Sequence, residues 1–217
     1  MQHGVEVGAH QGAGRFLPGP SGGVCGLLCR LSIRASYSST TPGNDRTSEL
    51  LKEVEIYTDG ACRGNPGPGG YGVILRSGSH CRELSGGFSR TTNNRMELYA
   101  AILGLESLKG PCRVELFSDS KYLVHALTLG WLKRWKELGW RRGSGQRLRN
   151  EDLWKRLDRA RQPHEVSWQW VRGHSGHAEN ERCDALAVQG AEGSGQVEDE
   201  GYLREEQLAE GGRDLFE

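Results

Sequence analysis

The chain has 217 residues and equal numbers of basic and acidic side chains, 28 of each, so its formal net charge is zero. Its length suits one domain with extensions, or at most two small domains. No run of 18 apolar residues occurs, so we expect neither a transmembrane helix nor a membrane partner. The six cysteines form no CxxC pair, which argues against a disulfide scaffold or a zinc ribbon and favours a reducing compartment.

The zero net charge hides an uneven distribution along the chain. Residues 54–192 carry 21 basic and 16 acidic side chains, whereas residues 193–217 carry two basic and eight acidic ones. The basic excess in 54–192 suggests a polyanionic partner, but it is weak evidence by itself. The acidic segment 193–217 predicts a solvated, flexible tail. Glycine makes up about 15% of the chain, twice the usual share, which predicts that part of the chain is not packed core.

Residues 1–53 form an N-terminal extension without clear hydrophobic periodicity. Between Val7 and Asn44 the segment has three arginines and no acidic residue, together with many serines. This composition is typical of an organellar transit peptide at residues 1–45 and predicts a mitochondrial protein, with a cytoplasmic one as the alternative. Its glycines and prolines weaken the amphipathic helix that a transit peptide needs. A disordered extension without an address, or a mistaken start codon, therefore stays open.

From Val54 onward, hydrophobic periodicity predicts alternating strands and helices. Strands are predicted at residues 54–59, 71–76, 81–88, 114–118 and 166–171, with a long glycine- and proline-rich turn at 60–70. Helices are predicted at 96–108, 121–129, 150–161 and 178–191, the third of them capped by Asn150. Three strands, then helix, strand, helices, strand and helix predict an α/β fold with a five-stranded mixed sheet flanked by helices.

Two aspartates follow apolar strands directly, where an acidic side chain is locally unfavourable. Asp59 ends the first predicted strand, and Asp119 follows the fourth. Each alone is ordinarily a turn residue, but two strand ends at one sheet edge can bring their carboxylates together. Close carboxylates repel unless a cation binds, and hard oxygen ligands suit Mg²⁺ or Mn²⁺. Glu97 opens a predicted helix, where an acid in the first turn is favoured by the helix dipole, and Asp184 lies in the last predicted helix, where a surface acid is ordinary. Spacing alone does not decide between these interpretations and a place in the site.

Five segments, taken in order, resemble bacterial-type ribonuclease H of the first type across roughly residues 53–192. They are TDGACRGNPGPGGYG at 58–72, TTNNRME at 91–97, SDS at 118–120, WQWVRGHSGH at 168–177 and ENERCD at 179–184. The resemblance extends weakly to EDEGY at 198–202. It implies the ribonuclease H-like fold and a metal-dependent endonuclease that cuts the RNA strand of an RNA–DNA hybrid, leaving 5′-phosphate and 3′-hydroxyl ends.

The resemblance also implies roles for individual residues. The family's four metal-binding carboxylates match Asp59, Glu97, Asp119 and Asp184, and two Mg²⁺ ions are expected there, with Mn²⁺ as a substitute. His174 matches a mobile-loop histidine that serves proton transfer or product release; zinc binding by His174, His177 and Cys183 would lack a fourth ligand. Groups that contact the hybrid backbone match Asn65, Asn93 and Asn94. Lys121 stands where many bacterial members have glutamine, so its expected phosphate contact is a departure from the family pattern.

Residues 131–149 combine seven basic side chains with one acidic side chain and three tryptophans. The spacing of the tryptophans is compatible with plain core packing, but the charges suit contact with nucleic-acid phosphates. The segment also matches the family's basic protrusion, which is thought to grip the DNA strand. The residues we expect to contact the substrate here are Lys133, Trp135, Lys136, Arg141 and Arg142.

The sequence thus predicts a monomeric enzyme that acts on RNA–DNA hybrids. A 3′–5′ exonuclease on a related sheet would need a glutamate two residues after the first aspartate, where this chain has Ala61. A catalytically dead hybrid-binding module would have lost a metal-binding carboxylate, and all four matching positions are acidic here.

Overall fold

A computed structural model describes residues 51–173 and 175–211 of the chain. The elements within these residues are β1 (Lys52–Cys62), β2 (Gly67–Ser77), β3 (His80–Thr91), α1 (Asn93–Glu106), β4 (Cys112–Ser118), α2 (Lys121–Thr128), α3 (Trp131–Glu137), α4 (Glu151–Arg161), β5 (Glu165–Trp170), α5 (Ala178–Glu192) and α6 (Glu200–Gly211). None of these helices is long and apolar enough to cross a lipid bilayer.

The five strands form one mixed sheet in the order β3-β2-β1-β4-β5. β1 pairs antiparallel with β2, and β2 pairs antiparallel with β3. β4 lies parallel to both β1 and β5. Parallel neighbours need a crossover connection, which α1 provides between β3 and β4 and α4 provides before β5. The predicted five-stranded mixed sheet with flanking helices is confirmed.

Successive side chains of a strand point to opposite faces of the sheet, and helices cover both faces. On one face, Ile56 and Val73 lie in the main core beneath α1, and α4 packs against α1. The largest side chain of this core is Trp154, which is fully buried. On the other face, Ile74 packs with Cys183 and Leu186 of α5. The sheet is therefore fixed between two helical layers over its β1 and β2 strands.

Several glycines lie where α5 touches the sheet. A methyl group on Gly70 or Gly72 would clash with the main chain of α5, and one on Gly87 would clash with the carbonyl oxygen of Gly190. The absence of side chains at these positions lets α5 lie directly on β2 and β3. Several of the described glycines therefore belong to the packed core.

Among the predicted boundaries that the structure moves, two bear on the site. The turn predicted at 60–70 is shorter, because β1 continues to Cys62 and pairs there with Gly69 of β2. The helix predicted from Met96 begins at Asn93, so Glu97 lies in the second turn of α1 rather than in its first. A favourable interaction with the helix dipole, which is confined to the first turn, does not account for that carboxylate.

The acidic tail is partly a folded element, contrary to the flexible segment expected from its charge. Asp199 is 1% exposed, and its carboxylate accepts hydrogen bonds from Arg95 Nε at 2.7 Å and from the hydroxyl of Thr91 at 2.7 Å. Val197 forms a bridge with Phe88 of β3, and α6 follows. A buried guanidinium needs a carboxylate partner, and the tail supplies it. Residues 1–50 and 212–217 lie outside the described residues. Most of the N-terminal extension predicted at 1–53 therefore lies outside them too, whereas Lys52 and Glu53 belong to β1.

Candidate active site

Three carboxylates meet at one edge of the sheet. Oxygen atoms of Asp59, Glu97 and Asp119 all lie within 4.8 Å of one another. β1 and β4 are parallel neighbours with Thr58 opposite Ser118, so the next residues, Asp59 and Asp119, come side by side. We call these three residues the carboxylate triad.

Gly60 brings the helical member of the triad close to the strands. A methyl group at this position would lie 2.5 Å from the amide nitrogen of Glu97 and 2.7 Å from the carbonyl carbon of Met96. Only glycine allows the main chain of α1 to approach β1 this closely. The glycine that follows Asp59 in the sequence therefore has a structural purpose: it places Glu97 beside Asp59.

Burial and mutual repulsion make the triad unfavourable as a set of free charges. The pKa of Asp59 is raised to about 7, first by burial and then by the negative charge of Asp119, while a hydrogen bond from the Gly60 amide at 2.7 Å opposes the shift. The pKa of Glu97 is raised well above its usual value by burial and by the charges of Asp59 and Asp119. Bound cations would remove this repulsion.

One oxygen of the triad lacks a partner. Glu97 Oε2 is buried and accepts no hydrogen bond from any described residue, whereas Glu97 Oε1 accepts one from the side-chain amide of Asn93 at 3.4 Å. A buried, unpartnered carboxylate oxygen is costly, and a hard divalent cation is the ligand that satisfies it. The donor set of the triad therefore fits a metal site made of oxygen ligands.

The fourth predicted carboxylate, Asp184, lies outside the triad. It is half-buried on α5, and its charge contributes to the raised pKa of Asp59. The position of Asp184 depends on how closely α5 approaches β2. The main chain of the preceding residue, Cys183, lies against Gly72 of β2. The structure thus brings three of the four carboxylates together and sets the fourth near enough to act electrostatically on Asp59.

His174 falls outside the described residues, and its predicted role stays a prediction. The residue before it, Gly173, lies against the triad: a methyl group there would be 2.5 Å from Asp119 Oδ2. The zinc alternative that used Cys183 gains no support, because this thiol is fully buried and burial raises its pKa, which disfavours the thiolate.

The predicted asparagines sit at the same edge of the sheet. The side-chain oxygen of Asn65 accepts a hydrogen bond from the amide of Asn93 at 3.3 Å, and Asn93 in turn contacts Glu97. Asn94 is exposed on the first turn of α1. Asn65 and Asn93 therefore connect the β1–β2 loop to the carboxylate triad.

The predicted basic segment divides into side chains anchored on α4 and side chains exposed at the surface; among the exposed ones, Arg141 donates to the main-chain oxygen of Gly145 at 3.3 Å. Lys136 donates to Asp158 of α4 at 2.6 Å, and the half-buried Trp135 packs on Trp154 with ring centroids 5.1 Å apart. Lys133, Arg141 and Arg142 are exposed, and none has an ion-pair partner within the described part of the chain. The structure therefore gives Trp135 and Lys136 contacts within the protein that hold the segment onto α4, which sequence spacing could not distinguish from substrate contact.

Sequence reasoning missed two groups beside the triad. Arg95 lies two residues before Glu97 on the same helix, and its fully buried guanidinium pairs with Asp199 and with Asp152. The indole nitrogen of Trp170 donates to the main-chain oxygen of Asp119 at 3.0 Å. The sequence carried two signals for them: an arginine two residues before Glu97, and a tryptophan near the end of the fifth predicted strand.

Comparison with known proteins agrees with this geometry. The RNase H family model matches residues 51–192. "Ribonuclease H" of Shewanella halifaxensis is 54% identical over 159 residues, which cover 73% of this chain and 98% of that protein. "Ribonuclease H" of Syntrophus aciditrophicus is 53% identical over 161 residues, covering 74% and 93%.

A solved structure shares the fold. It is described as LC9-RNase H1, a type 1 RNase H with the type 2 active-site motif, and it is 36% identical to this chain with a TM-score of 0.62. The match covers 73% of this chain and 82% of that chain. The ribonuclease H-like fold expected from the sequence is thereby confirmed.

The relatives also correct one expectation. A mitochondrial location was predicted from the composition of residues 1–45, but the relatives at 53–55% identity are bacterial proteins. The mitochondrial prediction is wrong, and these relatives favour the cytoplasmic alternative. Arginine- and serine-rich composition was insufficient evidence, because it describes many segments that carry no address.

The resemblance noted in five separate segments is thus matched by a family model over most of the chain, by bacterial relatives and by a solved structure. The same segments supply the carboxylate triad at the sheet edge. The chain belongs to the ribonuclease H family.

Proposed function

We propose that this ribonuclease H cuts the RNA strand of an RNA–DNA hybrid internally at the carboxylate triad. The observation that carries the proposal is the convergence of Asp59, Glu97 and Asp119 within 4.8 Å, with a buried oxygen of Glu97 left unpartnered. A site of this kind has no purpose as an empty cluster, because repulsion and burial both disfavour it. It suits a metal-dependent phosphodiester hydrolase.

The residues that would hold the metal are the triad and Asp184. Two Mg²⁺ ions, for which Mn²⁺ is a substitute, would there supply the positive charge that favours the attacking water and the leaving oxygen, giving 5′-phosphate and 3′-hydroxyl products. Asn93 holds Glu97 Oε1 in place, and the Gly60 amide holds Asp59. His174, which follows Gly173 and its contact with Asp119, transfers a proton or assists product release.

The surroundings of the triad would recognise backbone and sugar rather than base sequence. Asn65, Asn93 and Asn94 offer amide groups near the cut, and the 2′-hydroxyl is what distinguishes RNA from DNA. Lys121, Lys133, Arg141 and Arg142 are exposed cations for the phosphates. Trp135 and Lys136, proposed from the sequence as substrate contacts, act mainly by fixing this surface. The four carboxylates all belong to one chain, so the proposed site needs no second copy to complete it, and we propose that the enzyme acts as a monomer.

The decisive experiment uses a labelled RNA–DNA hybrid with Mg²⁺, beside RNA–RNA and DNA–DNA duplexes. We expect internal cuts in the RNA of the hybrid alone, lost in Asp59→Asn and kept in Glu115→Gln, an exposed acid on β4. Shortening from the 3′ end alone would indicate an exonuclease. Binding of the hybrid without any cut would indicate a non-catalytic binding module.

A further inference from the structure

Trp170 occupies an unusual position for a large aromatic side chain. It is the last residue of β5 and lies opposite Ser118 in the parallel pairing with β4. Its side chain is at the edge that carries the triad, yet the residue is 44% exposed. An aromatic ring that stays in water gains little from packing, so its contacts with polar groups are the interactions to explain.

The indole group ties β5 to the residue that ends β4. Trp170 Nε1 donates to the main-chain oxygen of Asp119 at 3.0 Å, and the next residue, Val171, donates its amide to the oxygen of Ser118 at 3.0 Å. Asp119 lies beyond the last strand pair, where the ladder itself provides no further hydrogen bond to its carbonyl group. The indole therefore adds a hydrogen bond between β5 and the residue after β4, and this residue is a member of the triad.

The face of the same ring holds a cation. Lys121 Nζ lies 5.2 Å from the centre of the Trp170 ring. Lys121 is exposed at the first position of α2, and it forms no ion pair with any residue that the structure describes. An ammonium group over an indole face is attracted by the ring quadrupole and keeps its positive charge available on its outer side. Trp170 thus contacts Asp119 and Lys121, which are two residues apart in the chain, through different parts of one side chain.

We infer that Trp170 is a positioning residue that aligns the Asp119 carboxylate with the Lys121 ammonium, and that Lys121 held on this ring receives a phosphate of the bound hybrid. This inference rests on the proposed function, since it needs a phosphodiester at the triad. It separates two effects: the indole N–H acts on Asp119 and so on the rate, whereas the ring face acts on Lys121 and so on substrate binding.

The test is a double-mutant cycle on the full chain with a labelled hybrid and Mg²⁺. Trp170→Phe keeps an aromatic face and loses the N–H; we expect kcat to fall about three- to tenfold with KM nearly unchanged. Lys121→Gln should raise KM and leave kcat unchanged. It should also lower the slope of log binding constant against log salt concentration by the amount that corresponds to about one phosphate contact. In Trp170→Leu, kcat falls and KM rises, and adding Lys121→Gln should change KM little further.

A matched control is Trp168→Phe, the same substitution two residues earlier in β5, at a ring that packs against the core. The role of the indole would be overturned if Trp170→Phe had the same kcat as the wild type. It would also be overturned if Trp168→Phe and Trp170→Phe lowered kcat equally. An effect of Lys121→Gln that is the same in the wild-type background and in the Trp170→Leu background would overturn the role of the ring face. Hybrid binding measured in the Asp59→Asn background gives a second readout that does not depend on cutting.

Failure of the proposed function looks different from failure of this inference. A wild-type chain that does not cut the hybrid removes the proposed function itself. A wild-type chain that cuts, with Trp170 and Lys121 variants that match it in kcat, KM and salt dependence, removes only the positioning role.

Discussion

At the scale of single residues, Asp59 combines a function with a cost. Its pKa of about 7 in the folded chain lies above its ordinary value of 3.8, because burial and Asp119 disfavour the charged form. A group whose pKa rises on folding favours the folded state only while it is protonated. The stabilisation that protonated Asp59 gives the folded state is fully present below about pH 4 and is lost as the pH rises through 7. Above pH 7 the ionised side chain opposes folding.

We therefore expect Asp59→Asn to abolish cleavage and to stabilise the metal-free protein at pH 8, by at most about 4 kcal/mol. The gain should shrink towards pH 4, where Asp59 is protonated in both the folded and the unfolded chain. Thermal unfolding with a chelator between pH 4 and 8 measures it. A variant that melts lower than the wild type at pH 8 would give Asp59 a structural role instead.

At the scale of elements, α6 is fastened to α1 through a buried charge. Arg95 is 0% exposed and is held by Asp199 with two hydrogen bonds, at 2.7 Å and 2.8 Å. Because α1 also carries Glu97, this contact links the C-terminal segment to the helix that supplies the triad. In the sequence, only the weak family resemblance at residues 198–202 indicated that this segment belongs to the folded domain.

Removing the carboxylate of Asp199 leaves the buried guanidinium with Asp152, whose side chain is 45% exposed, and without its fully buried partner. We expect Asp199→Ala to cost about 3–5 kcal/mol of unfolding free energy. Denaturant unfolding measures the loss, with Glu200→Gln as the control, since Glu200 is exposed and, among the residues that the structure describes, forms its only ion pair with Arg204 of the same helix. A cost below 1 kcal/mol would mean that Asp152 alone satisfies Arg95.

The basic segment is also tested as an element. Reversing Lys133, Arg141 and Arg142 to glutamate should weaken hybrid binding at least about tenfold and lower its salt dependence by about three contacts. Binding is measured in the Asp59→Asn background. The control is Lys109→Glu, an exposed lysine before β4 and so at the opposite end of that strand from Asp119. An unchanged salt dependence would leave the segment with a packing role alone.

Sequence reasoning succeeded where local patterns have local causes. Local hydrophobic patterns predicted all five strands, with strict alternation in the first and the fifth, and Asp59 and Asp119 drew notice because acids are unfavourable in strands. It could not separate Lys133 from Lys136, since the partner that occupies Lys136 is Asp158, far away in the chain. It also wrongly predicted that residues 193–211 are flexible, because the carboxylate of Asp199 is buried against Arg95, which lies far away in the chain. Asn150 precedes α4 as predicted, but its side chain donates to the Tyr122 hydroxyl instead of capping the helix.

At the scale of the whole molecule, the proposed metal binding would be coupled to folding. The triad and Asp184 come from β1, α1, the end of β4 and α5, so only the folded chain assembles the site. Saturating Mg²⁺ should therefore raise the melting temperature of the wild type at pH 8. At a hundredfold excess over the dissociation constant the shift should be roughly 5–10 °C.

The same titration in Asp59→Asn is the control, because that variant starts with less repulsion and holds the ions less tightly. A wild-type shift no larger than that of the variant would contradict a metal site at the triad. The shift should also shrink at pH 5, where Asp59 with a pKa of about 7 is mostly protonated and protons compete with the metal.

The order of these elements along the chain has a consequence for the enzyme during its synthesis. During synthesis, Asp59, Glu97, Asp119 and the basic segment leave the ribosome before α5, which carries Asp184. A chain cut off before α5 would keep the exposed cations but lack one of the four proposed metal ligands. We therefore expect such a fragment to be unable to cut a hybrid.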